Sequence, residues 1–298
     1  MAAASSASSL VPAPPLSKEA CLATAEDSDG VAALLRALAR DSYCVVRAEE
    51  MRALLGQAAV AELPAMRAFY DEAVPQRDEK NAAIYPYKGA LCSYYTDAAD
   101  PPRRSTAHDS EQWPGDVVEH VDPTTADATV SHLRVHKQWP PAADTNAAFG
   151  ALRRLMFALL DSPSEIEWSP GGAWEAMMTG YRVSKRPEGD GDGDPGPEGV
   201  HQDNCELTAV VLMDRRNVAS GGGNRVWTLD QGFGKPDATD AATPRLLTSL
   251  TLLEPLDTLF ILDRKVKHEA LAFVAGDGAA GGVAGRDVLS IECRRAPE

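Results

Sequence analysis

Three residues in the second half of the chain have the types and the order of a metal centre. His201 and Asp203 stand two apart in "GVHQDN", and His268 follows far downstream in "DRKVKHEA". In an extended segment residues i and i+2 point to the same side, so this imidazole and carboxylate can reach one point. They would fill two corners of an octahedron, and a ligand from a distant strand would complete one face. Two histidines and a carboxylate, with three positions left open, is the facial triad of non-haem iron(II) oxygenases. Two open positions suit a bidentate keto acid and the third suits dioxygen. The far carboxylate of the keto acid calls for a forked cation, and Arg286, at the head of "RDVLSIEC", is placed to supply it. Singly, these residues have ordinary readings as a strand cap, a turn and a core histidine. The ordered set of HxD, His and Arg carries the metal reading.

The remaining histidines offer less. His108 and His120 lie in a polar stretch and are expected to be solvated. His132 and His136 are four apart in "SHLRVHKQW" and would share one face of a helix, but a zincin has Glu directly after its first His, where Leu133 stands. The acidic run "EGDGDGDPGPEG" invites a calcium reading and fails it. Counted from Asp190, the obligatory glycine position holds Pro195 and the final Glu position holds His201. It is expected to be a mobile loop, a lid over the site entrance.

The elements that must position these residues follow from periodicity. Val31, Leu34, Leu35 and Leu38 share a helical face, with Ser28 or Asp29 as its cap. "YCVVR" predicts a strand, Glu49 to Gly56 and Pro64 to Ala73 predict helices, and Thr145 to Leu160 predicts the clearest helix. Ala82 to Thr96 leans to strand, and Asp100 to Pro123 is expected to be loop. Five β-leaning runs follow, Trp174–Val183, Glu206–Met213, Arg225–Leu229, Thr258–Leu262 and Asp287–Cys293. Helices first and strands after them predict an α+β fold, its strand-rich half closing as a barrel or jelly roll with helices on one side. No GxGxxG follows a predicted strand and there is no P-loop, which argues against a nucleotide-binding α/β fold.

The chain has 298 residues and a net charge of −15, which disfavours a nucleic-acid partner. No apolar run is long enough to span a bilayer. The five cysteines are scattered without CxxC spacing, which suits a reducing, cytoplasmic compartment. Residues 1–27, rich in Ala, Ser and Pro, are expected to be a disordered tail, and 28–298 one domain with a metal-binding β core at about 174–295. For an amino-acid substrate, Arg225 and Arg182 are candidate carboxylate partners. Tyr181, Trp227, Trp174 and Phe260 are candidate pocket walls.

"PEGVHQDNCELTAVVLMDRRNVASGGGNRVW", "LLEPLDTLFILDRKVKHEA" and "GRDVLSIECRR" together resemble the iron(II)/2-oxoglutarate-dependent free-amino-acid dioxygenases of the isoleucine-dioxygenase type. The likeness covers roughly Trp174 to Arg295 and, more weakly, the aromatic stretch Tyr85–Tyr95. It implies a double-stranded β-helix (cupin-like) core, Fe(II), 2-oxoglutarate and O2 as cofactors with ascorbate as reductant in vitro, and a small free amino acid as substrate. Carried over, the iron ligands fall on His201, Asp203 and His268, and the 2-oxoglutarate arginine on Arg286. Asn204 follows Asp203 where bacterial hydroxylases of this type often have Gly, so substrate contacts there can differ. Val288 stands two after Arg286 where some 2-oxoglutarate oxygenases have Ser, which leaves a second cosubstrate anchor unidentified. Asp203 itself argues against a halogenase. Hydroxylation is the default outcome, and similar fungal enzymes that close an aziridine ring on valine- or isovaline-like amino acids make oxidative cyclisation the second. A non-catalytic metal-binding β-barrel sensor, a protein-modifying oxygenase and a homodimer are left open.

Overall fold

A computed structural model of the chain describes residues 30–75, 88–99, 102–120, 133–185, 193–196, 198–237, 240, 243, 245–276 and 283–296. The expected N-terminal tail, the caps Ser28 and Asp29, His132 and most of the glycine-rich stretch before Arg286 lie outside these residues. The helices are α1 (Gly30–Asp41), α2 (Ala48–Leu55), α3 (Gln57–Ala61), α4 (Leu63–Ala68), α5 (Pro141–Asp144) and α6 (Ala147–Asp161). The strands are β1 (Tyr43–Val46), β2 (Val74–Pro75), β3 (Lys88–Tyr95), β4 (Asp116–His120), β5 (Leu133–Gln138), β6 (Trp174–Lys185) and β7 (Leu207–Arg216). They continue as β8 (Val218–Gly221), β9 (Asn224–Trp227), β10 (Leu246–Leu250), β11 (Thr258–Ile261), β12 (Lys267–Ala270), β13 (Phe273–Ala275) and β14 (Ala284–Arg295).

A nine-stranded major sheet runs β1-β11-β7-β14-β6-β3-β5-β4, with β2 beside β3, and a minor sheet runs β10-β9-β12. The pair β13-β8 stands apart from both. Long β14 lies at the centre and pairs antiparallel with β6 on one side and β7 on the other. Its side chains alternate between two environments, as the period of a strand requires. Leu289, Ile291 and Cys293 face the helices and pack with Leu34 and Leu38 of α1, Met51 of α2 and Leu152 of α6. The opposite face turns to the minor sheet. There Leu212 and Leu259 pack on Val226 and Leu250, and beside this cluster the space between the sheets is left as a cavity lined by Arg286, Val288, Ser290, Glu292 and Arg294. This is the jelly-roll, cupin-like α+β arrangement.

Helix α6 starts at Ala147 because the Asn146 side chain accepts from the Phe149 N–H at 3.0 Å, a sequence-local cap. Two expectations are corrected. The stretch Asp100 to Pro123 is not all loop: β4 lies within it, concealed by Asp116 and Glu119, whose charge disguises a buried strand. Glu119 is matched from β5 by Arg134 at 3.3 Å and His136 at 2.7 Å. The segment holding His136 is therefore strand and not helix. The run from Pro64 is helical as expected, but α4 gives way to a 3₁₀ turn, Phe69–Glu72.

Candidate metal centre

His201 and His268 face one another in an antiparallel bridge, each backbone N–H donating to the other's carbonyl at 2.9 and 3.0 Å. That bridge brings together two positions far apart in sequence, and their ring centroids lie 4.3 Å apart. Asp203, two residues on, comes to the same side. One ligand atom from each of His201, Asp203 and His268 lies within 4.8 Å of the other two. His201 Nε2 is 3.4 Å from Asp203 Oδ1, and His268 Nε2 is 3.5 Å from Oδ2.

The tautomer of His201 follows from its partner. Nδ1 lies 2.9 Å from the Gly199 carbonyl, which can only accept, so Nδ1 carries a proton and Nε2 is the nitrogen left for a cation once its own proton is displaced. Gly199 is needed there: its φ is +60°, and a Cβ would come within 2.3 Å of the Gly234 backbone.

A buried carboxylate holds the centre from behind. Asp263, in the stretch just before His268, accepts from the Asp203 N–H at 3.0 Å and the Cys205 N–H at 3.3 Å. Its own carbonyl accepts from Gln202 at 2.6 Å, and its Oδ1 stands 3.8 Å from His268 Nδ1. Thr208 donates to Asp203 Oδ2 at 3.0 Å.

Burial alone would push the Asp203 carboxyl up, but the two imidazoles and the Thr208 hydroxyl outweigh it and hold the group well below the usual carboxylate range. Burial also acts against a charged His201, yet Asp203 raises it to about 9, while burial takes His268 down to about 4. The cluster is thus a charged carboxylate, a neutral imidazole and an imidazole whose proton a cation would displace. Nitrogen and oxygen donors aimed at one point fit a divalent first-row metal.

Arg286 lines the same cavity. It is buried, its Nε has no hydrogen-bond partner among the described residues, and a terminal nitrogen reaches Asn224 Oδ1 at 3.4 Å. Burial, with the nearby Arg215, lowers the guanidinium to about 10. The Asn224 amide nitrogen is likewise buried and without a partner. Two sets of unmet donors side by side fit an incoming carboxylate.

Of the expected substrate residues, Tyr181 lines the cavity. Arg182 does not: alternation along β6 turns it to the helix side, where it pairs with Asp287 at 2.8 Å and Asp71 at 2.6 Å. Arg225 and Trp227 lie on the opposite face of β9 from the inward-facing Asn224, and both bond to Glu269 at 3.2 Å, away from the cavity. Trp174 and Phe260 belong to the core under the helices. Asn204 is exposed, with φ +54°, a left-handed conformation that Gly takes freely and Asn tolerates; its position there is a backbone matter and it does not line the cavity. His108 is not simply solvated: it stacks on Tyr94 and lies 2.9 Å from Glu175. Exposed His120 stands at the cavity wall. In the acidic run, Glu198 pairs with Arg134 at 2.7 Å and Asp194 with Lys235 at 2.9 Å, while Pro195 and Gly196 line the cavity. Residues 186–192 and 197 lie outside the described residues. Asp263, Thr208 and Asn224 are additions that sequence reasoning missed.

Among solved structures, the fold is similar to the Fe(II)/α-ketoglutarate-dependent dioxygenase TqaL, with 18% identity and a TM-score of 0.62 over 90% of this chain and 87% of that one. A bsmA homologue from Methylobium petroleophilum gives 24% identity and 0.63, over 90% and 96% of the two chains. IDO from Bacillus thuringiensis gives 14% and 0.60, over 90% and 100%. No curated protein sequence matches this one. No helix among the described residues is long and apolar enough to cross a membrane. The 2OG-Fe dioxygenase family model matches residues 119–292, a span that holds the whole His201–Asp203–His268 cluster and Arg286, and the chain therefore belongs to this family of enzymes, whose cofactors are Fe(II), 2-oxoglutarate and O2.

Proposed function

We propose that the chain oxidises a small free amino acid, with C–H hydroxylation as the default outcome. The observation that carries this reading is the cluster of two histidines and one carboxylate sharing a cavity with a buried Arg286 that pairs with no carboxylate among the described residues. In this reading His201, Asp203 and His268 hold the iron. Iron held there would, with 2-oxoglutarate and O2, supply the oxidising power for C–H oxidation, with succinate and CO2 as the co-products of the keto acid. Arg286 and the Asn224 amide fix the far carboxylate of the keto acid, the second anchor that Val288 cannot provide. Asp263 and Thr208 orient Asp203, and the Gly199 carbonyl keeps the His201 Nε2 lone pair available. A cavity between two sheets excludes bulk water and so strengthens every charge interaction within it. The amino-acid reading is supported by the motif resemblance and by the presence of both signs of charge along the cavity.

The test is succinate formation by purified protein with Fe(II), ascorbate, 2-oxoglutarate and pooled amino acids. Amino-acid-stimulated succinate is expected, and its absence sinks the amino-acid reading. Product mass then sorts the outcome: a gain of one oxygen marks hydroxylation, and a loss of two hydrogens marks cyclisation or desaturation.

A further inference from the structure

The cavity face of β14 carries charge beyond Arg286. Glu292 is buried, and its one hydrogen bond among the described residues is from the Ser290 hydroxyl on its own strand, at 3.1 Å. No cation among the described residues comes within ion-pair distance of it. Arg294, the next residue on that face, makes no hydrogen bond among the described residues. Its guanidinium lies 5.4 Å from the Tyr94 ring centre, and its Nε is 3.7 Å from Glu175. Glu175 already has His108 at 2.9 Å.

The other charged residues of the cavity are committed. Arg134 is taken by Glu119 and Glu198, at 3.3 and 2.7 Å, and those two carboxylates by Arg134. A buried carboxylate with no cation in ion-pair contact is costly, and such groups persist where a ligand completes them. Arg294, partly exposed and only loosely paired with Glu175, is free to turn its terminal nitrogens to a ligand. Position matters as well. Glu292 sits across the ladder from Thr208, the residue that bonds Asp203, so it borders the metal cluster. Residues i and i+2 on one strand face are about 7 Å apart at Cα. Two long side chains at that spacing can converge on groups joined through a single carbon.

We infer that Glu292 and Arg294 together bind the substrate's α-ammonium and α-carboxylate, Glu292 taking the ammonium. The site therefore selects unmodified α-amino acids over their N-acylated, amidated or deaminated relatives. This assignment rests on the amino-acid reading above and adds the residues that enforce it. Arg286, six residues away on the same face, serves the keto acid, so the two carboxylates in the site have separate anchors.

The experiment first finds a stimulating amino acid in the twenty-member pool. Its carboxamide and its 2-hydroxy acid analogue are then compared with it in wild type, Glu292→Gln and Arg294→Gln. Readouts are KM from succinate formation and Kd by anaerobic calorimetry on Mn(II)-loaded protein. Wild type is expected to reject each analogue by about tenfold or more, the effect of one lost charged hydrogen bond. Glu292→Gln should lose discrimination between amine and hydroxyl while keeping that between acid and amide, and Arg294→Gln should do the reverse. A merely structural role weakens all three ligands alike. Glu292→Asp, which keeps the charge on a shorter arm, should retain the amine preference at weaker affinity, and it decides the matter if Glu292→Gln does not fold. Folded variants with wild-type discrimination overturn the inference. If wild type itself shows no amino-acid-dependent succinate, the amino-acid reading has failed, and the inference with it; stimulation with unchanged discrimination in the variants removes the inference alone.

Discussion

Replacing Arg286 with Met should make the empty protein more stable and the loaded protein less so. The guanidinium is buried near Arg215 without an anion among the described residues, and its lowering from 12.5 to about 10 corresponds to about 3 kcal/mol set against the charged form. Met fills a similar volume without charge and loses one long contact to Asn224. Part of that cost should be recovered, raising the melting temperature by about 2–6 °C without cosubstrate. With cosubstrate the order should invert. At 100 times Kd, 2-oxoglutarate stabilises wild type by about 2.7 kcal/mol. Losing a buried charged partner costs about 3–5 kcal/mol, so the variant's affinity should fall by roughly a hundredfold to several thousandfold. The assay is a pair of thermal melts on Mn(II)-loaded protein, with and without 2-oxoglutarate, plus a calorimetric titration. A variant that melts lower when empty, or that binds 2-oxoglutarate within threefold of wild type, would refute the assignment of Arg286 as an unsatisfied anion anchor.

His268→Ala removes one of three proposed ligands; turnover should vanish and Mn(II) affinity by equilibrium dialysis should drop at least about 100-fold, and full activity would show the triad to be wrong. Asp257 accepts from the backbone N–H groups of Ala48, Leu253 and Glu254 at 3.0, 2.8 and 3.2 Å, so Asp257→Ala should cost about 2–4 kcal/mol in urea unfolding, and a loss below half a kcal/mol would contradict its role. Glu119 gives an acid-stability prediction: burial opposes its charge, but Arg134 and His136 lower it from 4.5 to about 2. A depressed carboxyl stabilises fully above pH 4.5 and loses that contribution as pH falls toward 2. Wild type should therefore lose about 2–3 kcal/mol more than Glu119→Gln between pH 6 and pH 3, and parallel losses would count against the prediction.

The strongest signals were legible because they are local. HxD spacing, the 3.6-residue period of α6 and the apolar runs of β6, β7 and β14 survive in the linear sequence, and the proposed ligand set, His201, Asp203 and His268, is brought together in the fold. What was hidden depends on partners elsewhere. β4 is invisible until β5 supplies Arg134 and His136 to Glu119. Arg182 and Arg225 resemble substrate cations in sequence, and only register shows them facing Asp287 and Glu269. Asn224 went unnoticed beside the more conspicuous Arg225, although strict alternation along β9 puts the two on opposite sides. The same rule, counted from Arg286, would have picked out Glu292 and Arg294. The "PLDT" motif read as punctuation, whereas Asp257 within it ties the start of α2 to the turn before β11.

The alternation of β14 has a consequence for how this enzyme can change. Its even-numbered positions from Arg286 to Arg294 line the cavity, and Leu289, Ile291 and Cys293 pack against the helices. Substrate preference can thus drift by substitution at one set of positions with little penalty at the other. Insertion or deletion of one residue has no such freedom, because it would turn cavity-facing Glu292 and Arg294 toward the helix-backed core and Ile291 and Cys293 toward the cavity. Lineages of this scaffold should accordingly diversify along β14 by replacement, while its length stays fixed.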